Sequence, residues 1–250
     1  MSEPRNWQNT VALITGAGSG VGAAVAKRLA AAGAKLLLSG RNEEKLRISE
    51  AQAKAGESLC LAGDVKDAAF CRELLDTVES RFGRLDVLVN NAGAMYRATA
   101  AQTPDEAWAE IMRVNLDAVF WLSRGGAARM RGGAIVNVAS TVSLVGCGGL
   151  AAYCASKGGV VQLTRAMALE CAATKTTVNA VCPGAIESPM LFSGHPDGVT
   201  DEQTRARNAD LIPLKQLATP EEVARAIQFL ASEPHITGVM LPVDGGYTAQ

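Results

Sequence analysis

The sequence predicts a single α/β domain built on a doubly wound parallel sheet. Three observations carry that reading. Short apolar runs alternate with helical stretches from one end of the chain to the other. The runs are apolar throughout, the pattern of strands buried on both faces. A glycine-rich segment, Thr15-Gly16-Ala17-Gly18-Ser19-Gly20-Val21-Gly22, follows the first run and opens the first helix. Alternation of such strands with helices gives a parallel sheet covered on both sides.

The elements follow in order. Val11–Ile14 is the first run, and Val21–Ala32 is an Ala-rich helix ended by Gly33 as its C′ residue. Lys35–Ser39 is the second run. Glu43–Ala55 is a helix with charges along one side. Ser58–Ala62 is a run, Ala68–Phe82 a helix, and Val87–Asn90 a run. Thr103-Pro104-Asp105-Glu106 predicts a helix start with Thr as N-cap, Pro at the first helical position and Glu three residues after the Thr. Later runs are Ala134–Ala139, Thr177–Val181 and Val239–Val243, and later helices are Leu150–Cys171 and Pro220–Ala231. Pro242 lies inside the last run. A proline cannot donate to a strand ladder, so that strand belongs at a sheet edge.

Composition fits one domain. The chain has 250 residues, 48% of them hydrophobic and 20% charged, which excludes a disordered chain. With 24 Lys+Arg against 25 Asp+Glu, the balanced charge argues against nucleic acid or an anionic membrane as partner. The N-terminus lacks a basic start followed by an apolar stretch, and no window approaches the roughly 20 apolar residues of a membrane span. Cys60, Cys71, Cys147, Cys154, Cys171 and Cys182 form no C-x-x-C pair, so no metal site is expected and a reducing, cytoplasmic location is. No linker, repeat or composition break divides residues 1–250.

The glycine segment has the context of a dinucleotide site. Backbone N–H groups at a helix N-terminus attract a pyrophosphate, and glycines allow close approach. The spacing Gly16, Gly20, Gly22 is G-x-x-x-G-x-G. At the end of the second run, where an acid would mark a cofactor without a 2′-phosphate, stand Gly40 and Arg41. A guanidinium pairs with a phosphate in a fork, so NADP(H) is expected over NAD(H), which stays possible with Glu43 and Glu44 close by.

Tyr153-Cys154-Ala155-Ser156-Lys157 lies in the Leu150–Cys171 helix, and the i, i+4 spacing puts Tyr153 and Lys157 on one face. A phenol with a pKa near 10 is a poor base at neutral pH, and an adjacent ammonium favours its ionised form. Ser140 ends the run Ala134–Ala139. Ligands of open α/β sheets sit beyond the carboxyl ends of strands, so its hydroxyl can meet a substrate oxygen there.

With these motifs the chain resembles the short-chain dehydrogenase/reductase family in its compact one-domain form, over about Asn9 to Ala249. The glycine motif matches Thr15–Gly22, the family's acidic-Val pair matches Asp64-Val65, and Asn90-Asn91-Ala92-Gly93 looks like its N-N-A-G segment. Asn115 matches the catalytic helix Asn, and with Ser140, Tyr153 and Lys157 completes a tetrad. Pro183-Gly184, Ile186 and Ser188 resemble the segment along the nicotinamide, and Asp244-Gly245-Gly246 the close of the last strand. The resemblance implies a Rossmann-type sheet of about seven strands, usually assembled as a homotetramer, with a homodimer as the alternative. It implies a cofactor set of Gly16, Ser19, Gly20, Val21, Gly22, Arg41, Asp64, Val65, Asn91, Ala92, Gly93, Tyr153, Lys157, Pro183, Gly184, Ile186 and Ser188. Asn115 would hold a proton-relay water against Lys157. Lys157 would tune Tyr153 and hold the nicotinamide ribose, and Tyr153 would be acid in reduction and base in oxidation.

The chain departs from the family pattern at Ser188, where Thr is commoner, and at Ser19, where many NADP-preferring members carry a basic residue. Gly125-Gly126 falls inside an expected helix, at roughly 1 kcal/mol per Gly relative to Ala. Lys175-Thr176 replaces a glycine-bearing turn.

Residues 190–217 break the strand–helix order and predict a substrate flap, with His195 as an exposed loop residue. The expected pocket wall is Ala94, Met95, Tyr96, Val142, Val145, Cys147, Leu150, Ala185, Met190 and Leu191. It is mostly apolar, which favours a ketone or secondary alcohol on a hydrophobic body, and Arg97 is the nearest cation. The expected activity is reversible nicotinamide-dependent hydride transfer. A non-catalytic NADP(H)-sensing protein and an epimerase or dehydratase are the rivals.

Overall fold

The computed structural model describes residues 3–193 and 198–250. His195, Pro196 and Asp197 of the expected flap lie outside the described residues. Seven parallel strands form one sheet in the order β3-β2-β1-β4-β5-β6-β7. They are β1 (Val11–Thr15), β2 (Lys35–Gly40), β3 (Ser58–Ala62), β4 (Val87–Asn90), β5 (Ala134–Val138), β6 (Thr177–Pro183) and β7 (Met240–Val243). The strand carrying Pro242 is at the edge, as its missing donor requires.

Successive strand residues point to opposite faces, and both faces are apolar. Ala12, Ile14, Leu36, Leu38, Val87, Val89 and Val136 pack toward α1 (Gly20–Ala31) and α9 (Pro220–Ser232). Val11, Leu13, Leu37, Leu88, Ile135 and Val178 pack on the other face, with α3 (Ala68–Phe82), α5 (Ala118–Arg129) and α6 (Ala151–Glu170). α2 (Glu43–Ala53) lies beside α1, and α4 (Asp105–Met112) precedes α5. The strand order reverses between β1 and β4, which opens a crevice at their carboxyl ends.

Local chemistry sets the helix ends. Gly33, with φ +100°, closes α1 in a Schellman arrangement: its N–H donates to Ala30 (2.9 Å) and that of Ala34 to Leu29 (3.0 Å). The start of α4 differs from expectation. Thr103 does not cap it; its hydroxyl donates to the Thr99 carbonyl at 2.9 Å, and Pro104 is the N-cap, its carbonyl accepting from Trp108 N–H. The preceding 3₁₀ turn, Ala100–Gln102, offers Thr103 that nearer acceptor. Residues 190–217 hold two helices, α7 (Pro189–Phe192) and α8 (Asp201–Leu211). Thr200 and Gln203 form a capping box for α8, a signal present in the sequence.

Gly125 and Gly126 have a packing reason. A Cβ on Gly125 would stand 2.4 Å from Leu75 Cδ1, and one on Gly126 3.1 Å from Leu88 Cδ2, so the pair lets α5 sit close on α3 and β4. Leu75 is 2% exposed and has little room to move. Gly125→Ala is therefore expected to destabilise, by about 1–2 kcal/mol net of the helix-propensity gain. Denaturant unfolding checks this, and an unchanged or higher stability contradicts the packing account. Lys175 takes up the left-handed conformation, φ +55°, that a glycine would adopt without strain.

Candidate active site

A cleft of about 540 Å³ runs along the carboxyl ends of the strands. At one end the glycine loop turns from β1 into α1. Gly16 has φ +63°, and a Cβ there would lie 2.9 Å from Ala92 Cα. Ser19 is the N-cap but makes no side-chain cap bond, and the first turn carries no acid. The N–H groups of Gly20 and Val21 have no acceptor among the described residues. Two open donors at a positive helix end suit a pyrophosphate. Nothing approaches a Cβ on Gly20 closer than Ser188 Cβ at 3.7 Å, so the backbone there is open to a ligand.

The expected cofactor residues Gly16, Ser19, Gly20, Val21, Arg41, Asp64, Val65, Asn91, Ala92, Gly93, Pro183, Gly184, Ile186 and Ser188 all line the cleft. Gly22 does not; a Cβ there would sit 2.3 Å from the Gly16 carbonyl oxygen, so its task is to let helix meet loop. Asn91 fastens the loop from the side, donating from Nδ2 to the carbonyls of Thr15 (3.0 Å) and Gly16 (3.1 Å). Thr15 Oγ1 accepts in turn from the N–H groups of Asn91 and Ala92. At the far end Arg41, Asn42 and Lys45 line the cleft. Glu43 is turned along α2 into an ion pair with Arg47 (2.7 Å). The chain thus offers a complete cradle for a dinucleotide.

At the other end Ser140, Tyr153 and Lys157 converge on the cleft. Ser140 follows β5, with Oγ accepting from Val142 N–H at 3.4 Å, and its hydroxyl is near enough to the Tyr153 phenol to favour the phenolate. Lys157 is 3% exposed; its Nζ donates to the Val138 carbonyl at 2.7 Å and stands 5.8 Å from the Tyr153 ring centre. No carboxylate pairs with it among the described residues. Burial pushes the Lys157 ammonium down to about 8.

The phenol differs from expectation. Burial pushes Tyr153 up to about 12, against the downward pull of the nearby Ser140 hydroxyl. The ring keeps part of its surface open to the cleft. Lys157 spends its short hydrogen bond on Val138, so desolvation outweighs it at the phenol. The site taken alone stores the proton on Tyr153.

Asn115 holds its neighbours together from outside the cleft. It lies behind the cleft wall in a π turn, Arg113–Asp117, between α4 and α5, fully buried. Its Oδ1 accepts from Ala94 N–H (2.8 Å), and its Nδ2 donates to Ala94 O (2.9 Å) and Ser156 Oγ (3.1 Å). That side chain joins the Asn91–Ala94 loop to α6 through both amide hydrogens and one lone pair of Oδ1. A Cβ on Gly93 would stand 3.4 Å from Asn115 Oδ1 and 3.6 Å from Lys157 Nζ, so the loop closes directly over both.

The substrate end is walled by Ala94, Met95, Val142, Cys147, Leu150, Ala185, Met190 and Leu191, as expected. Tyr96 and Val145 are not part of the wall; both are exposed, on loops that turn outward. Asn208, Leu211 and Ile212 from α8 and its end, and Tyr247 after β7, were not foreseen. All six cysteines are free. Among the described residues no group of His, Cys, Asp and Glu is placed to share a metal ion, and no helix is long and apolar enough to cross a membrane.

Comparison with known proteins agrees with this geometry. A family model described as Enoyl-(Acyl carrier protein) reductase matches residues 16–248. Meso-2,3-butanediol dehydrogenase of Serratia marcescens is 37% identical over 97% of this chain and 96% of its own. The 3-oxoacyl-[acyl-carrier-protein] reductase FabG of Escherichia coli is 37% identical over 96% of this chain and 98% of its own. A solved structure from Sinorhizobium meliloti 1021, assigned to the short-chain alcohol dehydrogenases, superposes with a TM-score of 0.90 at 33% identity, covering 98% of this chain and 100% of that one. The protein is an oxidoreductase of the class acting on CH–OH and C=O groups with a nicotinamide cofactor. With fold, cleft and relatives in agreement along the whole chain, it belongs to the short-chain dehydrogenase/reductase family.

Proposed function

We propose that this enzyme interconverts a ketone and a secondary alcohol on a mainly apolar small molecule, with NADP(H) as preferred cofactor and Tyr153 as general acid and base. The convergence of Ser140, Tyr153 and Lys157 on the cleft that also holds the open amides of Gly20 and Val21 carries this reading. When bound, the nicotinamide supplies or accepts the hydride. Ser140 and Tyr153 hold the substrate oxygen between two hydroxyls. Tyr153, protonated at neutral pH, delivers its proton to that oxygen as reduction proceeds. The phenolate so formed faces the Lys157 ammonium, held in place by Val138. Asn115 positions rather than reacts: it holds the Asn91–Ala94 loop against the helix that bears Tyr153 and Lys157. In oxidation Tyr153 has to shed its proton first.

Arg41 and Lys45 support the cofactor preference, since both are cations at the far mouth and the nearby Glu43 is neutralised by Arg47. A 2′-phosphate there gains charge-assisted hydrogen bonds. Arg41→Ala is expected to lower kcat/KM for NADPH about 10- to 100-fold while NADH changes by far less. Steady-state kinetics with both cofactors decides this, and a wild-type preference for NADH overturns it.

The substrate-flap reading of residues 190–217 is supported by the placement of Met190, Leu191, Asn208, Leu211 and Ile212 on the cleft. Free thiols suit a cytoplasmic enzyme. A homotetramer, or a homodimer, is supported by exposed Trp108 on α4, Phe120 on α5 and Phe229 on α9. Light scattering is expected to give a mass above that of one chain; a monomer at micromolar concentration contradicts it.

A further inference from the structure

The charged groups along the cleft are unevenly placed. The acids on its wall are Asp64 and Glu110. Both are bound to the same cation: Lys66 Nζ lies 3.5 Å from Asp64 and 3.1 Å from Glu110. Asp64 stands beside Val65 and Gly63, at the dinucleotide end. Among the described residues the substrate end has no carboxylate on its wall, yet it carries two basic side chains, Lys157 and Arg97. Lys157 is committed to Val138 beneath the reacting phenol.

At the substrate end, Arg97 is the cation left uncommitted among the described residues. It makes no ion pair among the described residues, and its one hydrogen bond is a long one, from Nη2 to the Leu191 carbonyl at 3.4 Å. Its backbone position is fixed. Ala98 N–H donates to the Gly149 carbonyl at 2.9 Å, and Ala98 pairs with Leu150 in an isolated parallel bridge. Leu150 is the N-cap of α6, so the Arg97 segment is stitched to the start of the helix that presents Tyr153. The positive charge of Arg97 is felt at both Cys147 and the Tyr153 phenol. The same cleft is lined by Cys147, Leu150, Met190 and Leu191, all apolar or weakly polar.

We infer that Arg97 is a specificity-determining residue, and that the substrate carries a carboxylate at the end of its apolar body remote from the carbonyl or carbinol. The inference rests on the oxidoreductase reading above and narrows its substrate class to oxo and hydroxy carboxylic acids. A guanidinium offers a carboxylate two parallel N–H donors, and Arg97, exposed where it lines the cleft with Leu150, Met190 and Leu191, presents them to a substrate entering there. The contact with Leu191, which follows Met190 in α7, places the anion site where the flap meets the cleft. A bound carboxylate would replace a weak bond with a strong one.

Two measurements test this separately from the parent reading. The first compares kcat/KM for a cyclic ketone bearing a remote carboxylate with that for its methyl ester, in wild type and Arg97→Gln. Wild type is expected to favour the acid about 10- to 100-fold, mainly through KM, with the ratio collapsing toward unity in Arg97→Gln and recovering in part in Arg97→Lys. Equal use of acid and ester by wild type, or a preference for the acid that survives Arg97→Gln, overturns the inference while leaving the oxidoreductase reading intact. The second needs no turnover. Cofactor-loaded protein is titrated calorimetrically with cyclohexanecarboxylate and with cyclohexanecarboxamide. The carboxylate is expected to bind at least tenfold more tightly, with the difference lost in Arg97→Gln and weakened by salt. Indistinguishable affinities overturn the inference even where neither ketone reacts, and failure of both ketones with carboxylate binding intact counts against the parent reading alone.

Discussion

Tyr153→Phe is expected to lower kcat by roughly 10²- to 10⁴-fold while the dissociation constant of the cofactor stays within a few-fold of wild type. The substitution removes one oxygen and leaves the ring on α6 in place. Ser140 can still hold the substrate oxygen, but its hydroxyl is the weaker donor and nothing sits behind it to stabilise its anion. The pyrophosphate end of the cleft, at Gly20 and Val21, is untouched. Cofactor binding followed by fluorescence and single-turnover kinetics separate the two effects. Near-normal turnover would remove Tyr153 from the chemistry, and loss of cofactor binding would make its role one of support.

Lys157→Met is expected to abolish most activity and at the same time make the fold more stable. The ammonium is 3% exposed, has no carboxylate partner among the described residues, and is held only by the Val138 carbonyl. Its fall from 10.5 to about 8 corresponds to about 3 kcal/mol of unfavourable burial in the charged form. A base with its folded pKa below the unfolded value binds its proton less tightly when folded. The cost is therefore full below about 8 and fades as pH rises toward 10.5. Met is apolar and of similar length, so it fills the space, while the lost hydrogen bond to Val138 offsets about 1 kcal/mol. A net gain of about 1–2 kcal/mol at neutral pH is expected, shrinking as pH rises above about 8. Urea denaturation at two pH values checks it, and a variant less stable at neutral pH contradicts it. The same titration acts on catalysis. Wild-type kcat/KM for reduction is expected to be level below about 8 and to fall above it, as Lys157 loses the charge that faces the nascent phenolate. A profile that rises through that pH would contradict the assignment. Activity in Lys157→Met should drop by two orders of magnitude or more.

What the sequence made legible was local. Gly33 closes α1 as its position after an Ala-rich run requires, Pro242 marks the edge strand, and Tyr153 and Lys157 share a face because they are one helical turn apart. The glycine loop was readable because strand, turn and helix are contiguous. What stayed hidden depends on residues distant in the chain. Thr103 abandons its cap for a carbonyl four residues back. The Gly125-Gly126 pair, a defect by helix propensity, is set by Leu75 and Leu88 on other elements. Tyr247 reaches the cleft from beyond the last strand, with no periodic signal to announce it. The phenol's upward shift was missed because charge proximity can be read from spacing, whereas desolvation requires the surrounding walls.

A chain of buried polar groups crosses the middle of the sheet. Asn90 on β4 donates to Ser123 of α5 (2.9 Å) and to Asn137 on β5 (2.8 Å), and Asn137 donates to Thr164 of α6 (2.9 Å). Asn90 and Asn137 are direct partners in the β4–β5 ladder. The rest of these two strands is Val, Leu, Ile and Ala, and sliding one past the other by two residues would return every apolar side chain to its own face. Only the asparagines distinguish that misalignment, because each would be buried opposite an apolar partner with its amide unmatched. They act as a key in a lock: the pair spends polar groups in the core so that the two halves of the crevice assemble in a single alignment, with Ser140 at the height where Tyr153 can reach it.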